Sequence, residues 1–393
     1  MAVDNKGMVS YVRVLKEDLA IFKIKPSEGS VPDFKAGQFV TIGLDVPSEG
    51  KIVRRAYSIA SPPEQKNWFE LVIRWVRKPV PGRLTTELFN KREGDEVLWL
   101  KPTGPFTINE KMPDGSPDNR RMVLIGGGTG LAPFIAYSLH LKAIDSKREI
   151  VVLHGASYVD ELSYRELLTD LENESLDHGK DKWNFRYRAS ISRPQEWFNR
   201  SWNGQKGRVE SFLRPKLGTD RSPLEELVGD RITTENTMFY VCGWQGTVDG
   251  ALDYLVPKGF VTERNKRKDG TYDVKFEFEE FSTVEEVFLY LISVAPYMKQ
   301  VLPVSSYRGY IFSIVPLTPL SGDVLMMIYS KGKMDPGMIE FDISTKKYKN
   351  VLSVERADKN YFVILTPKSA TVADTAIELI ESLSKQKPNE AIH

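Results

Sequence analysis

The feature that most constrains this chain is a glycine-rich turn between an apolar run and a helical pattern. Residues 122–125 are apolar, residues 126–133 read GGGTGLAP, and residues 132–143 have helical apolar spacing. Glycines there let backbone N–H groups approach an anion, and the start of the next helix favours negative charge. The spacing matches neither GxGxxG nor a P-loop. The segment predicts an anion cradle, with a plain tight turn as the alternative.

The pattern around this turn alternates between strands and helices. Buried strands are predicted at 150–153, 185–191 and 238–241, and helices at 161–172 and 247–254. Strands that alternate with helices indicate βαβ units and a parallel sheet. We therefore expect an α/β nucleotide-binding domain whose ligand lies at the carboxyl ends of the strands.

The first third of the chain has the period-two pattern of half-buried strands. Residues 9–25 contain two such runs, residues 38–44 and 69–76 one each, and residues 97–100 add a last strand. Glycine and proline separate them, which predicts a small antiparallel β-barrel. Residues 109–121 are polar and contain two prolines, so we expect an exposed linker and a domain boundary near residue 119.

After residue 280 the pattern starts again. A helix to about residue 295, several strands and a closing helix predict a small α+β domain; the strands are expected at 310–315, 324–329, 338–343 and 361–365, and the last helix at 372–383. The predicted domains are 1–118, 119–280 and 281–393.

Composition excludes several classes of function. The 54 Lys and Arg nearly balance the 53 Asp and Glu, which argues against nucleic-acid binding and a polybasic membrane anchor. A single cysteine, Cys242, rules out a disulfide framework and a four-cysteine iron–sulfur cluster within the chain, and four scattered histidines predict no metal site. The longest apolar run, 287–292, is far too short to span a membrane, and no secretory signal is visible. We expect a cytoplasmic protein.

A second motif, Arg55-Ala56-Tyr57-Ser58, lies between FKAGQFV at 34–40 and GRLT at 82–85. These three motifs, in this order, resemble the ferredoxin-NADP reductase family of FAD flavoproteins, over about residues 8–280. The resemblance implies that Arg55 holds the FAD pyrophosphate, Tyr57 stacks on the isoalloxazine ring and Ser58 lies near flavin N5. The remaining cofactor contacts that it implies in this part of the chain are Ala56, Gly82, Leu84 and Thr85. From the residues alone, Tyr57 as barrel packing and Arg55 as a surface charge remain the alternative.

The resemblance continues through the α/β part. The glycine-rich turn, with Gly128, Thr129, Gly130 and Pro133, is similar to the nicotinamide-nucleotide turn of the family, and HG at 154–155 with ELSY at 161–164 is similar to the strand–helix unit that follows. Ser192, Arg193 and Arg208 lie where the family grips the 2′-phosphate of NADP, so the resemblance favours NADP(H) over NAD(H). The alternative is that both are ordinary surface arginines.

Two further segments bear on catalysis. Cys242-Gly243 resembles the family's C-G turn, where the cysteine shapes the pocket for hydride transfer; a small buried hydrophobe is the alternative. Residues 271–280 resemble the last strand of the bacterial-type reductases, whose aromatic residue, here Phe278, lies against the flavin. The alternative for Phe278 is the core side of a sheet strand. Glu280, or Glu279 beside it, is a candidate for carrying a proton toward the flavin.

These motifs predict a flavoprotein oxidoreductase that uses FAD and NADP(H) and delivers electrons to a separate ferredoxin or flavodoxin. Positive residues at 74, 77, 78 and 83 are candidates for docking an acidic carrier. The alternative acceptors are an oxygenase or free flavin. A different class of function is a redox-sensing regulatory or scaffold protein, in which residues 281–393 bind a partner or a second copy of the chain.

Overall fold

The structure is a computed structural model that describes residues 4–47, 50–75, 83–179 and 182–278 and five strands between 304 and 365. The chain divides into two compact units. The first consists of Met1–Arg77 and Pro81–Glu279, and the second of Lys78–Val80 and Glu280–His393.

An antiparallel sheet of six strands forms the first part of unit one, in the order β4-β3-β6-β1-β2-β5. Its elements are β1 (Asn5–Lys16), β2 (Leu19–Pro26), β3 (Phe39–Val46), β4 (Lys51–Ser58), β5 (Phe69–Arg74), helix α1 (Arg83–Phe89) and β6 (Glu96–Thr103). The two ends of the order meet just beyond β4, where Ala60 N donates to Glu70 O at 2.7 Å and Glu70 N donates to Ser61 Oγ at 3.1 Å. The sheet therefore curls into the predicted barrel around an apolar core.

A parallel sheet of six strands forms the rest of unit one, in the order β10-β9-β8-β7-β11-β12. Its elements are β7 (Arg121–Gly127), α2 (Ala132–Ala143), β8 (Ile150–Ala156), α3 (Arg165–His178), β9 (Phe185–Ile191), β10 (Gln205–Lys206), α4 (Pro223–Val228), β11 (Thr237–Gly243), α5 (Gln245–Leu255) and β12 (Val274–Phe278). The chain leaves β7 toward β8 and returns to the other side of β7 at β11. Ligands bind at such a reversal, outside the strand carboxyl ends.

The predicted elements of this sheet are largely confirmed. The helix at 132–143 and the strand at 185–191 have the predicted bounds. The helix predicted at 161–172 is wrong at both ends, since α3 runs from Arg165 to His178. Val159–Glu161 is a 3-10 turn, and α3 begins at Arg165 because Tyr164 has left-handed backbone torsions, φ 57°. Helical spacing does not show that a residue such as Tyr164 is left-handed, so the pattern alone placed the helix start too early.

The segment predicted as an exposed linker is buried in part. Asp118 and Arg120 are 2% and 8% exposed, and Arg120 bridges Asp118 to Asp273 with N–O distances of 2.8 and 3.0 Å. Asn109 N also donates to Tyr240 Oη at 2.7 Å. Paired charges and hydrogen bonds thus attach a polar sequence to the start of the parallel sheet.

The barrel and the parallel sheet meet at Gly37, which has a positive φ of 90°. A β carbon on Gly37 would stand 2.0 Å from Phe106 O and 2.5 Å from Tyr137 Cε1, so only glycine fits. Tyr137 Oη donates to Phe106 O at 2.8 Å, and burial raises the pKa of Tyr137 well above its usual value. The motif at 34–40 therefore includes a contact between the two domains.

Unit two contains an antiparallel sheet in the order β13-β14-β15-β17-β16. Its strands are β13 (Val304–Tyr307), β14 (Tyr310–Pro316), β15 (Val324–Ser330), β16 (Val351–Ala357) and β17 (Asn360–Leu365). Three of the predicted strands are confirmed as β14, β15 and β17, whereas β13 and β16 were not predicted. The helices predicted to about 295 and at 372–383, and the strand at 338–343, lie outside the described residues.

Candidate active site

The RAYS motif forms the last half of β4. Because side chains alternate along a strand, Arg55 and Tyr57 share one face, and Ala56 and Ser58 share the other. Tyr57 packs partly on the barrel core, and the Arg55 guanidinium Nη1 donates to the carbonyl of Arg54 at 2.9 Å. Ser58 lies opposite Phe39 on β3 and is half-buried. The strand thus places Arg55 and Tyr57 side by side, as a site for a diphosphate and an attached ring requires.

The residues expected to form the GRLT turn lie partly in a helix. Gly82 lies outside the described residues, and α1 begins at Arg83. Leu84 is buried in the barrel core, whereas Thr85 is half-buried in the first turn. Trp75 Nε1 donates to Thr86 Oγ1 at 3.0 Å, which ties α1 to the end of β5. Leu84 therefore packs α1 onto the barrel, and Thr85 follows it at the surface.

The glycine-rich turn joins β7 to α2 through a 3-10 turn, Gly128–Leu131. Gly128 has a positive φ of 59°, and a β carbon there would face open space. Thr129 is half-buried beside it, and Pro133 is buried in the first turn of α2. A left-handed glycine opening onto free space above a helix start leaves room for a pyrophosphate, so the residues present fit the nucleotide that the sequence predicts.

The C-G turn lies against this glycine-rich turn. Cys242 on β11 is paired with Gly126 on β7, and its thiol is buried, with the residue 2% exposed. On the other side of β11, Cys242 is paired with Glu277, and Gly243 with Phe278. Three strand ends thus meet at the reversal of the sheet, where the family resemblance puts the nicotinamide.

Of the residues predicted to lie near the flavin at this edge, one is described only in its backbone and the others lie outside the described residues. Phe278 is the last residue of β12, and only its backbone position opposite Gly243 is described. Glu280 and the glutamate before it are the ones outside. Among the described residues, a carboxylate at this edge is Glu277, which the sequence analysis missed because it appeared as the outward residue of an alternating strand. Its register with Cys242 depends on the pairing of β11 with β12, which the sequence does not state.

His154 is a second residue that the sequence analysis did not assign. It lies on β8 beside Gly126, is fully buried, and its Nδ1 is 3.4 Å from Tyr187 Oη. Burial lowers the pKa of His154 to about 3, against a smaller opposing effect of the Gly128 backbone. The imidazole is therefore neutral at physiological pH and lies beneath the turn.

The residues predicted to bind a 2′-phosphate follow the carboxyl end of β9. Ser192 N donates to Ala156 O at 2.9 Å, and Gly207 N donates to Ile191 O at 2.9 Å. The structure therefore brings Arg193 and Arg208 to the same edge of the sheet but gives them separate partners. Arg193 Nη1 donates to Tyr158 Oη at 2.9 Å, and Arg208 Nε lies 2.7 Å from Glu210 Oε1.

These features define a class of protein. A barrel with the RAYS strand and a parallel sheet with a glycine-rich cradle form an FAD- and NAD(P)-binding oxidoreductase. Two family profiles match accordingly, the oxidoreductase FAD-binding domain over residues 6–108 and the oxidoreductase NAD-binding domain over residues 124–252. The chain belongs to the ferredoxin-NADP reductase family and is an FAD-dependent oxidoreductase.

Individual relatives agree with this assignment. A ferredoxin-NADP reductase of Azotobacter vinelandii is 28% identical over 263 residues, which are 66% of this chain and 93% of the relative. One component of a Na⁺-translocating NADH-quinone reductase of Yersinia pestis is 27% identical over 275 residues, 61% of this chain and 60% of that component. The structure of a Neisseria gonorrhoeae ferredoxin NADP⁺ reductase with bound FAD and NADP has the same fold, with TM-score 0.56 and 22% identity, over 71% of this chain and all of the other.

Proposed function

We propose that this protein transfers electrons between NADP(H) and a small one-electron carrier, a ferredoxin or flavodoxin, through FAD. The observation that carries the proposal is the meeting of Gly126, Cys242 and Glu277 at the reversal of the parallel sheet, within the same compact unit as the RAYS strand. The name of the Azotobacter relative supports the choice of acceptor.

FAD supplies the chemistry, because a bound flavin accepts a hydride from NADPH and releases electrons singly. The chain supplies binding and orientation. Arg55 would hold the diphosphate and Tyr57 the flavin ring, with Ser58, Ala56, Gly82, Leu84 and Thr85 around them. Gly128, Thr129, Gly130 and Pro133 would cradle the nucleotide pyrophosphate, and Cys242, Gly243 and Phe278 would border the nicotinamide.

Selection of NADPH would depend on Ser192, Arg193 and Arg208. Both arginines are exposed and lie near the end of β9, and two guanidinium groups there would favour a dianionic phosphate. Each would leave a weaker partner to do so, since Arg193 is bound to a phenol and Arg208 to one carboxylate. Preference for NADPH over NADH is therefore part of the proposal.

The set of positive residues predicted to dock an acidic carrier changes. Arg74, one of the four positive residues expected at the flavin edge, lies 2.9 Å from Asp18 and 3.2 Å from Glu161 and is one-quarter exposed. The residues at 77 and 78 lie outside the described residues. Of the four, we keep Arg83 for the carrier, together with the surface around α1.

None of the helices in the described ranges is long and apolar enough to cross a bilayer. A cytoplasmic location belongs to the same proposal.

The test is a flavin spectrum followed by titration. Purified protein should be yellow, and NADPH should bleach it without oxygen at lower concentration than NADH. Ferredoxin, flavodoxin and free FMN are then compared as acceptors. Fastest turnover with free FMN would contradict a ferredoxin or flavodoxin as the acceptor. A protein that takes up no FAD would contradict the proposal as a whole.

Deletion of residues 285–393 tests the role of the second unit. Full carrier reduction by the shortened chain would assign this unit to binding of a partner or a second copy. Loss of turnover with FAD retained would make it part of the electron path.

A further inference from the structure

The ELSY motif at 161–164 has no role in the site described above, yet its acidic and aromatic residues contact the barrel. Glu161 is buried, and its Oε1 lies 3.3 Å from Lys16 Nζ on β1 and 3.2 Å from Arg74 Nη1 on β5. Its other oxygen accepts from Ser157 N at 3.2 Å. One carboxylate therefore joins two barrel strands to the loop that follows β8. Such shielded, multiply bonded pairs hold geometry better than exposed ones.

Tyr164 makes the second contact. Its hydroxyl donates to Glu70 Oε1 on β5 at 2.8 Å, and burial, followed by the charge of Glu70, raises the pKa of the phenol well above its usual value. The phenol therefore remains a donor. The backbone of Tyr164 is left-handed, with φ 57°, an unfavourable conformation for a residue with a side chain. Backbone strain of this kind persists where the surroundings impose it, often at functional positions.

Glu70 connects this contact to the RAYS strand. Its backbone accepts from Ala60 N at 2.7 Å and donates to Ser61 Oγ at 3.1 Å. Ala60 and Ser61 follow Ser58 by two and three residues, and Lys23 Nζ lies 3.5 Å from the Glu70 carboxylate. Tyr164 is therefore bonded to Glu70, whose backbone holds the residues just beyond the RAYS strand. The loop that carries it begins at Ser157, directly after β8 of the nucleotide-binding sheet.

We propose that Glu161 and Tyr164 are positioning residues for hydride transfer. Together with Lys16, Arg74 and Glu70 they form an interdomain clasp that fixes the RAYS strand relative to the nucleotide turn. The proposal rests on the proposed function, because it concerns the same transfer. Misplacement of reacting groups by about 1 Å can lower a rate on the order of 100-fold, so contacts that fix one domain relative to the other can affect the transfer without touching either cofactor.

The test uses the full chain and the variants Tyr164→Phe, Glu161→Gln and their combination. Flavin reduction at saturating NADPH should slow about 5-fold in each single variant and more than about 20-fold in the double variant. FAD content and the Kd of NADP⁺ should stay within about 2-fold of wild type, because no cofactor contact changes. Independently of NADPH, hydrogen exchange at the amide of Ala60 should become faster in Tyr164→Phe.

Two controls separate positioning from general stability. Glu70→Gln keeps an oxygen that accepts from Tyr164, so it should retain most of the rate, whereas Glu70→Ala should fall to the level of Tyr164→Phe. Thr169→Ala alters an exposed residue of α3 whose hydroxyl bonds only to the adjacent turn in the described contacts, and should behave as wild type.

The positioning role of Glu161 and Tyr164 would be rejected if the rate of flavin reduction in the double variant stayed within about 2-fold of the wild-type rate. A lower unfolding midpoint with no change in that rate would reject it as well. If neither NADPH nor NADH reduces the wild-type protein, the proposed function fails. In that case hydrogen exchange at the Ala60 amide still decides whether Tyr164 holds the end of the RAYS strand. Unchanged exchange in Tyr164→Phe would reject that role.

Discussion

The carbonyl oxygen of Cys242 lies 2.4 Å from the point that a β carbon on Gly130 would occupy. Two motifs that are more than a hundred residues apart in the sequence are therefore in direct backbone contact. Gly127 is similarly close to Thr247 at the start of α5, where its β carbon would be 2.5 Å from Oγ1. The nucleotide turn and the C-G turn consequently form one structure, and a change in either should affect both.

Gly130→Ala should damage this contact. The added methyl group must displace backbone, and overpacking of this kind costs about 1–3 kcal/mol. We expect a lower free energy of unfolding and a Kd for NADP⁺ at least about 10-fold higher, with FAD still bound. Urea unfolding and titration of the flavin spectrum measure these quantities.

Gly128→Ala is the matched control, since its β carbon would meet open space and only the left-handed backbone resists, at about 1 kcal/mol. Equal losses of stability in the two variants would refute the steric explanation.

Arg193→Ala tests selection of the phosphate. If Arg193 leaves Tyr158 for the 2′-phosphate, removal should raise the KM for NADPH about 10-fold, equivalent to about 1.4 kcal/mol, and leave the KM for NADH unchanged. Steady-state kinetics with both nucleotides provide the measurement. Arg200→Ala is the control, because Arg200 is an exposed neighbour that lies over Trp197, 4.8 Å from the ring centroid. A parallel rise in both KM values would point to a structural effect.

His154 predicts a specific loss of stability in acid. Its pKa is about 3 in the folded protein and about 6.5 when unfolded, so the unfolded chain binds the proton more tightly. The part of the free energy of unfolding that depends on the neutral His154 is fully present above pH 6.5 and is lost as the pH falls toward 3. Between pH 7.5 and 4.5 the wild type should lose about 2–3 kcal/mol more than His154→Gln.

Urea unfolding at several pH values measures the difference. Tyr187→Phe is the control, since it removes the hydroxyl near Nδ1 but keeps the buried imidazole, so its acid-dependent loss should follow the wild type. Parallel pH dependence of wild type and His154→Gln would show that His154 is not buried in its neutral form.

Local patterns predicted the elements that depend on local periodicity. The helix at 132–143 and the strand at 185–191 follow directly from apolar spacing, and the strand–turn–helix order around the glycine-rich turn is as predicted. Strand pairing is a different matter. That Glu277 lies beside Cys242 depends on β12 joining the sheet next to β11, a long-range choice that no short window contains.

The same limit explains the residues that were misjudged. Tyr164 fits the helical spacing of 161–172, and neither its left-handed backbone nor its bond to Glu70 in the barrel is visible in the local sequence. Arg74 resembles a free surface charge until Asp18 and Glu161 are placed beside it. Polar residues are predicted to be exposed unless their partners are known, and those partners are distant in the sequence.

Arg120 gives the strongest prediction for stability. Its guanidinium is held by Asp118 and Asp273, whose side chains are at most 1% exposed, and Arg148 and Arg267 are further partners of these carboxylates. Removing Arg120 takes away the cation that both buried carboxylates share and leaves each of them with one weaker-placed or partly exposed partner, Arg148 or Arg267. Arg120→Met should lower the free energy of unfolding by about 3–5 kcal/mol at pH 7. The exposed pair of Arg231 with Asp220 is the control, and Arg231→Met should cost at most about 1 kcal/mol.

The pH dependence of this loss distinguishes charge from packing. Burial alone would raise the pKa of Asp118, but the hydrogen bond and charge of Arg120, with the charge of Arg148, lower it on balance. A carboxylate with a lowered pKa stabilises the fold above its unfolded pKa of about 3.9, and this contribution disappears as the pH falls. The gap between wild type and Arg120→Met should therefore narrow below about pH 4. A gap that stays constant in urea unfolding from pH 7 to pH 3.5 would assign the loss to packing of the guanidinium instead.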